Sequence, residues 1–222
     1  MIKLAPDVAT LLRAHGIDGT GADIPDPGYS TARKTRFEAD GRRYVLKRIP
    51  AQGDWIRDML RETGCREVEF ATSRLPDRLP SGVATPNVGA ALDGEGWALL
   101  MHDLTGALLP PDGPLPDEQF DRLVRGMAAM HAVFWRASLH DAGVALLPTA
   151  TWVGCLSPET GRRLIELAWF LAVNSSRLPR SLDDALDRYA AAVRSELGRR
   201  ASELRWDEQL AVMAIAGLVM YG

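Results

Sequence analysis

The spacing of apolar residues changes several times along this 222-residue chain. Near the start, Val8, Leu11 and Leu12 recur at helical intervals and Gly16 offers a stop, which predicts a short helix over 5–15. Residues 16–30 are rich in Gly, Pro and Asp and read as loop. The period then falls to two. Positions 35–39 alternate, Asp40-Gly41 is a hairpin signal, and Arg-Arg-Tyr-Val-Leu-Lys returns over 42–47. Helical spacing resumes over 54–74 through Trp55, Met59, Leu60, Val68 and Phe70, with Gly64 as a bend or interruption. After a Pro-bearing loop over 75–86, positions 87–92 and 96–101 predict two more strands joined at Asp93-Gly94-Glu95-Gly96.

The pattern changes again at 108–116, a connector with four prolines. Everything after it reads as helix. Asp117 is placed to cap a helix running through Leu123, Met127, Met130 and Phe134. Ser157 and Pro158 open another run, which continues over 164–173. Ser181 with Asp184 resembles a capping box, and Leu182, Leu186, Tyr189, Ala190, Val193 and Leu197 share one face of the helix behind it. Residues 206–221 are apolar nearly all round, the mark of a buried helix. The expected architecture is α+β: a small antiparallel sheet with helices over 1–104, then an all-helical part over 105–222.

Composition narrows the function classes. A hydrophobic fraction of 46% and a charged fraction of 25% are those of a globular chain, and the net charge of -3 gives no general attraction for nucleic acid or an anionic membrane. The longest nearly apolar run, 210–221, falls short of the ~20 residues of a membrane span, and the N-terminal stretch has no hydrophobic leader core. The expectation is a cytoplasmic protein without nucleic-acid or membrane partners. Cys65 and Cys155 are too few for a metal cluster or a disulfide framework and read as two free buried thiols. Of 26 basic residues only Lys3, Lys34 and Lys47 are lysine. Where this chain needs a generic cation it uses Arg, so a Lys is informative: its ammonium is a compact point charge.

Several motifs are absent. There is no Walker P-loop, no H-E-x-x-H, and Gly19-Thr20-Gly21 lacks the third glycine of a dinucleotide fingerprint. His15, His102, His131 and His140 do not cluster in sequence, and structural roles are expected for them. The positive signal is an ordered set. Gly28, Tyr29, Ser30 and Thr31 lead into the first hairpin, Lys47 ends its return strand, and Glu67 lies on the next helix. A loop of small and hydroxyl residues can lay backbone N–H groups on phosphates, a strand lysine can neutralise them, and a helix carboxylate can hold that lysine. Taken singly, Lys47 reads equally as an edge-strand guard against aggregation and Glu67 as a helix surface charge.

At this point the chain resembles the aminoglycoside phosphotransferase and choline-kinase-like small-molecule kinases. The matching stretches are GYSTARKTRFEADGRRYVLKR (28–48), REVEF (66–70), WALLMHDL (97–104), AAMHAVFW (128–135) and LAWFLAVNSSRLPRS (167–181), in the family's order. The resemblance implies a protein-kinase-like two-lobed fold with an ATP-binding first lobe. It implies nucleotide contacts from Gly28, Tyr29, Ser30 and Thr31, Lys47 on the α/β-phosphates, Glu67 paired with it, and Met101, His102 and Asp103 as the strand offering backbone groups to adenine. The family commonly has a carboxylate where this chain has His102. AAMHAVFW would be the core helix of the second lobe, and 167–181 the helix after the metal-binding segment.

The family's catalytic loop, H-G-D-x-x-x-x-N, is missing. The chain has two asparagines, Asn87 and Asn174, and five positions before them stand Gly82 and Trp169. His140-Asp141 lacks the downstream Asn, and Asp54-Trp55 imitates a metal-binding dipeptide in the wrong part of the chain, where the fold is expected to hold it far from the phosphates. The interval where the loop belongs, 157–166, is ten residues of SPETGRRLIE, and reads as an internal deletion. The implied function is phosphoryl transfer from ATP to a small-molecule hydroxyl, impaired or lost. No catalytic residue is assigned, and Mg²⁺ enters only if another carboxylate substitutes. Three readings stay open: a pseudokinase that retains nucleotide binding, an active kinase using Asp141, Glu159 or Glu166, and a non-enzymatic domain that self-associates or recruits a partner through the shortened helical lobe's exposed surface.

Overall fold

The computed structural model describes residues 1–25, 31–54, 57, 63–109, 113–134, 171, 174–203 and 206. They divide into two compact units, one of 1–78 and 84–108, the other of 79–83 and the described residues from 109 onward. The architecture is α+β, with a six-stranded mixed sheet in the first unit and helices in the second.

Chain order in the first unit is β1 (Leu4–Ala5), α1 (Val8–Ala14), β2 (Ala22–Ile24), β3 (Arg33–Ala39), β4 (Arg42–Ile49), α2 (Arg66–Thr72), β5 (Asn87–Asp93) and β6 (Gly96–His102). The strands line up as β1-β5-β6-β4-β3-β2. Only β1 and β5 run parallel. Both predicted hairpins form. Between β3 and β4, Asp40 and Gly41 have φ of 51° and 69°, the left-handed pair of a type I′ turn, whose twist matches the strands it joins. The β5–β6 turn uses Gly94 at φ 61°.

Two local expectations are corrected. The helix expected over 5–15 begins only at Val8, because the Asp7 carboxylate caps it, accepting from the Thr10 amide at 2.6 Å. Leu4 and Ala5 pair with β5 instead. The expected loop over 16–30 contains β2, which covers the outer side of β3 through Ile24 opposite Lys34. Of the helix expected over 54–74, Arg66–Thr72 is helical as α2 and Arg57 is helical too, while residues 55–56 and 58–62 lie outside the described residues.

Side chains alternate across the sheet and divide its core into two. On one face Tyr44, Leu46, Ala98 and Leu100 pack under Val8, Leu11 and Ile17 of α1 and its exit. On the other, Ile49, Ala90 and Leu99 pack under Cys65, Val68 and Ala71 of α2. Cys65 is a free buried thiol, as expected; Cys155 lies outside the described residues.

In the second unit α3 (Asp117–Val133) packs on α4 (Leu182–Leu197). Their core is Phe120, Val124, Ala128, Ala132, Ala185, Tyr189, Val193 and Leu197 with Leu171. The α4 face predicted from spacing is correct at Tyr189, Ala190, Val193 and Leu197, whereas Leu182 is half exposed. Ser181 caps α4 by accepting from the Asp184 amide at 3.2 Å, but the Asp184 carboxylate turns to Arg188 and Arg180, so only half of a capping box forms. Asp117 does not cap α3: Pro116 holds the cap position, and Asp117 sits inside the first turn paired with Arg180. His131, buried in α3, has the structural role expected of it: its Nδ1 lies 2.5 Å from the fully buried Tyr189 hydroxyl. The helices expected over 157–173 and 206–221 lie largely outside the described residues, as do His140, Asp141 and the 157–166 junction.

A Cβ on Gly96 would stand 2.4 Å from the Ile49 carbonyl oxygen, whereas one on Gly106 meets nothing within 4 Å. Gly96→Ala is therefore expected to lower stability by about 1–3 kcal/mol, the range for overpacking. Gly106→Ala is expected to leave the thermal midpoint nearly unchanged. Paired melting curves of the two variants check this.

Candidate functional site

Lys47 lies in the middle of the sheet, on β4 between β3 and β6. It is not on an edge strand, so the edge-guard reading of this lysine is excluded. Strand alternation turns it away from Leu46 and Tyr44, which belong to the α1 side, and toward α2. There both Glu67 carboxylate oxygens accept from its ammonium, each at 2.7 Å. The Lys47 side chain is 18% exposed and that of Glu67 54%. A pair this open to water is worth at most about 1 kcal/mol to folding. Its main consequence is positional: it holds a flexible ammonium in one place.

That place is the wall of a cavity of about 640 Å³ lined by Lys47, Glu67, Asp54, Arg57, Arg66 and Phe70, among others. Every lining residue belongs to the first unit. Asp54 is the residue that sequence reasoning set aside. It was expected far from the phosphates, yet it lines the same cavity as Lys47 and is 6% exposed. Its carboxylate accepts from the Thr31 hydroxyl at 3.3 Å and from the Arg57 amide at 3.2 Å. Arg57 in turn donates to the Pro50 carbonyl at 2.5 Å and the Gly64 carbonyl at 2.6 Å, with its guanidinium 4.9 Å from the Trp97 ring centre. The segment after β4 is thus tied back to β4, to β6 and to the approach to α2. The sequence signal for Asp54 was its acid character seven residues after Lys47; the fold back toward the strand is a tertiary feature.

The other predicted residues separate. Thr31 is joined to the site through Asp54. Gly28, Tyr29 and Ser30 lie outside the described residues. Met101, His102 and Asp103 are at the end of β6, but their side chains diverge. The His102 ring stacks on Tyr44, centroids 5.6 Å apart, on the α1 face opposite Lys47. The His102 amide donates to the Pro86 carbonyl at 2.9 Å and the Asp103 amide to the Arg43 carbonyl at 3.0 Å. Neither amide is open to an adenine without giving up a bond of the fold.

Asp103 is an electrostatic knot. Its side chain is 1% exposed. It accepts from the Thr105 hydroxyl at 2.5 Å and amide at 2.9 Å and from Arg36 Nε at 2.9 Å, with Arg43 3.9 Å away. Donation by the Thr105 hydroxyl and then its amide holds the carboxyl below the usual aspartate range; burial opposes the shift and Arg36 adds to it.

No protein-family model and no curated protein matches this chain. The resemblance to small-molecule kinases therefore rests on the stretches quoted above.

A depressed folded-state pKa gives stability that is present above the unfolded value of ~4 and lost as pH falls through the lower folded value. Asp103→Asn is accordingly expected to cost about 1–3 kcal/mol at pH 7. The gap from the parent is expected to stay constant down to about pH 5 and to close at lower pH. Urea melts at pH 7 and pH 3 measure both ends.

Proposed function

We propose that the first unit binds the polyphosphate of a nucleotide, and that the chain is a small-molecule phosphotransferase relative, two-lobed in the protein-kinase manner, without efficient phosphoryl transfer. The observation that carries this reading is the bidentate Lys47–Glu67 pair at 2.7 Å on a cavity wall. A braced ammonium donates to phosphate oxygens, and the carboxylate behind it fixes its direction. Thr31 is tied to the same wall through Asp54, which supports a role for the stretch it belongs to, residues 28–31 of the sequence, over the phosphates.

The groups that the resemblance requires for chemistry beyond binding are found neither as a sequence motif nor among the described residues. The sequence has no Asp followed five positions later by Asn. Among the described residues no three His, Cys, Asp or Glu side chains form a metal-holding group. Asp54 and Glu67 face the cavity, but both carboxylates are engaged by protein donors. This donor set does not fit a phosphate-bridging Mg²⁺. Losing the base and both metal ligands together costs many orders of magnitude in rate. Asp141, Glu159 and Glu166, the substitutes an active kinase would need, lie outside the described residues. Among the described residues no helix is long and apolar enough to cross a membrane.

Millimolar ATP is expected to raise the melting temperature by a few degrees, the shift that binding at about ten times Kd produces. Lys47→Ala is expected to abolish the rise, and chelating Mg²⁺ to leave most of it. A thermal-shift series with and without EDTA tests this; a parent chain that ignores ATP ends the reading. Incubation with hydroxylated acceptors is expected to give no phosphorylated product above background.

A further inference from the structure

The two amides at the end of β6 are committed to the fold, so a nucleotide held at Lys47 needs another seat for its base. The cavity beside Lys47, about 640 Å³, has the size of a site that encloses a whole small molecule. Its wall continues past the ion pair.

Phe70 stands three residues after Glu67 on α2, a spacing that puts both on one side of the helix. Val68 and Ala71 fill the sheet core under α2, whereas Phe70 lines the cavity and is only partly buried. It gives the cavity an aromatic surface. Asn87, at the start of β5, lines the same cavity. The sheet register fixes its relation to Lys47. Asn87 pairs with Met101, Met101 pairs with Val45, and Val45 stands two residues before Lys47. All four side chains therefore project from one face. Two strand spacings and two residues of rise put the Asn87 and Lys47 backbones about 12 Å apart, a distance that a nucleotide bridges and a free phosphate ion does not.

The Asn87 backbone N–H donates to the Thr85 hydroxyl at 3.2 Å, but no hydrogen bond among the described residues engages its side-chain amide. A partly buried amide ordinarily finds partners for its donor and its acceptor. Here both stay open beside the cavity. An asparagine amide matches an edge that carries a donor next to an acceptor, as adenine does at N6 and N7. A neighbouring aromatic side chain is the usual platform for such a ring.

We propose that Phe70 and Asn87 form the base-binding end of this cavity: the Phe70 ring stacks on an adenine, and the Asn87 amide hydrogen-bonds its donor–acceptor edge. This rests on the nucleotide-binding reading above but on different residues from those that hold the phosphates.

Titration calorimetry of the full chain with ATP and with inorganic tripolyphosphate, which carries the charge without the base, tests this. The chains compared are the parent, Asn87→Leu, Asn87→Ser, Phe70→Leu and Lys47→Ala. The Ser variant is too short to reach the base yet stays polar, should the Leu variant fold poorly. Both Asn87 variants are expected to weaken ATP about tenfold and Phe70→Leu about fivefold, with tripolyphosphate changed less than about twofold. Lys47→Ala is expected to weaken both ligands. ATP binding that survives unchanged in the Asn87 and Phe70 variants while Lys47→Ala loses it overturns the base site and leaves the nucleotide reading standing. Equal losses of ATP and tripolyphosphate in the Asn87 variants also overturn the base site. A parent chain that binds neither ligand overturns both readings.

Discussion

The register of the β3–β4 hairpin is the constraint on which the site depends. Side chains alternate along a strand, so a slip of one residue would turn Lys47 to the α1 face and Leu46 toward α2. The slip is prevented from both ends. Asp40 and Gly41 take left-handed backbone in a two-residue turn, which leaves no slack in the pairing. Tyr44 and Leu46, both buried, lock the α1 face. The site is therefore a by-product of core burial: apolar residues at 44 and 46 dictate where a charge at 47 must point.

Once Lys47 faces α2, short-range electrostatics finishes the arrangement. Glu67 reaches it from the first turn of α2, and α2 itself is held by Cys65, Val68 and Ala71 in the sheet core. The pair adds little to stability because it is open to water on the Glu67 side. The apolar contacts supply the energy and the ion pair supplies the geometry. The segment between β4 and α2 follows the same division, with Arg57 stacked on Trp97 and bonded to two carbonyls, and Asp54 left facing the cavity.

The far end of β6 follows a different logic. Asp103 draws together β3, β4 and the turn at Thr105 through three donor groups and the nearby Arg43 guanidinium, with its side chain almost fully buried. It acts as a structural knot, and the His102–Tyr44 stack on the opposite face is structural as well. The resemblance to small-molecule kinases assigned this strand end to the nucleobase. The observed bonds commit its two amides to the fold, so the proposed function rests on the phosphate side of the site.

The sequence by itself determined the local elements whose signals are local. These are the two hairpins, with their Asp-Gly and Gly-Glu turns, and the buried stripe of α4, with the Ser181 cap. It also determined the order Lys47 then Glu67, and the absence of an Asp-x-x-x-x-Asn loop. Tertiary structure alone decided the rest, because each remaining feature joins groups far apart in the chain. β1 exists only because β5 offers it a partner, and β2 only because β3 does. Asp117 loses its cap role to a chain path set by Pro116. Asp54 reaches the cavity because Arg57 folds its segment back, and Asn87 shares that cavity with Lys47 because β6 pairs with both of their strands. Spacing along a chain reports which face a residue occupies; which residues share that face across strands is a property of the packed sheet.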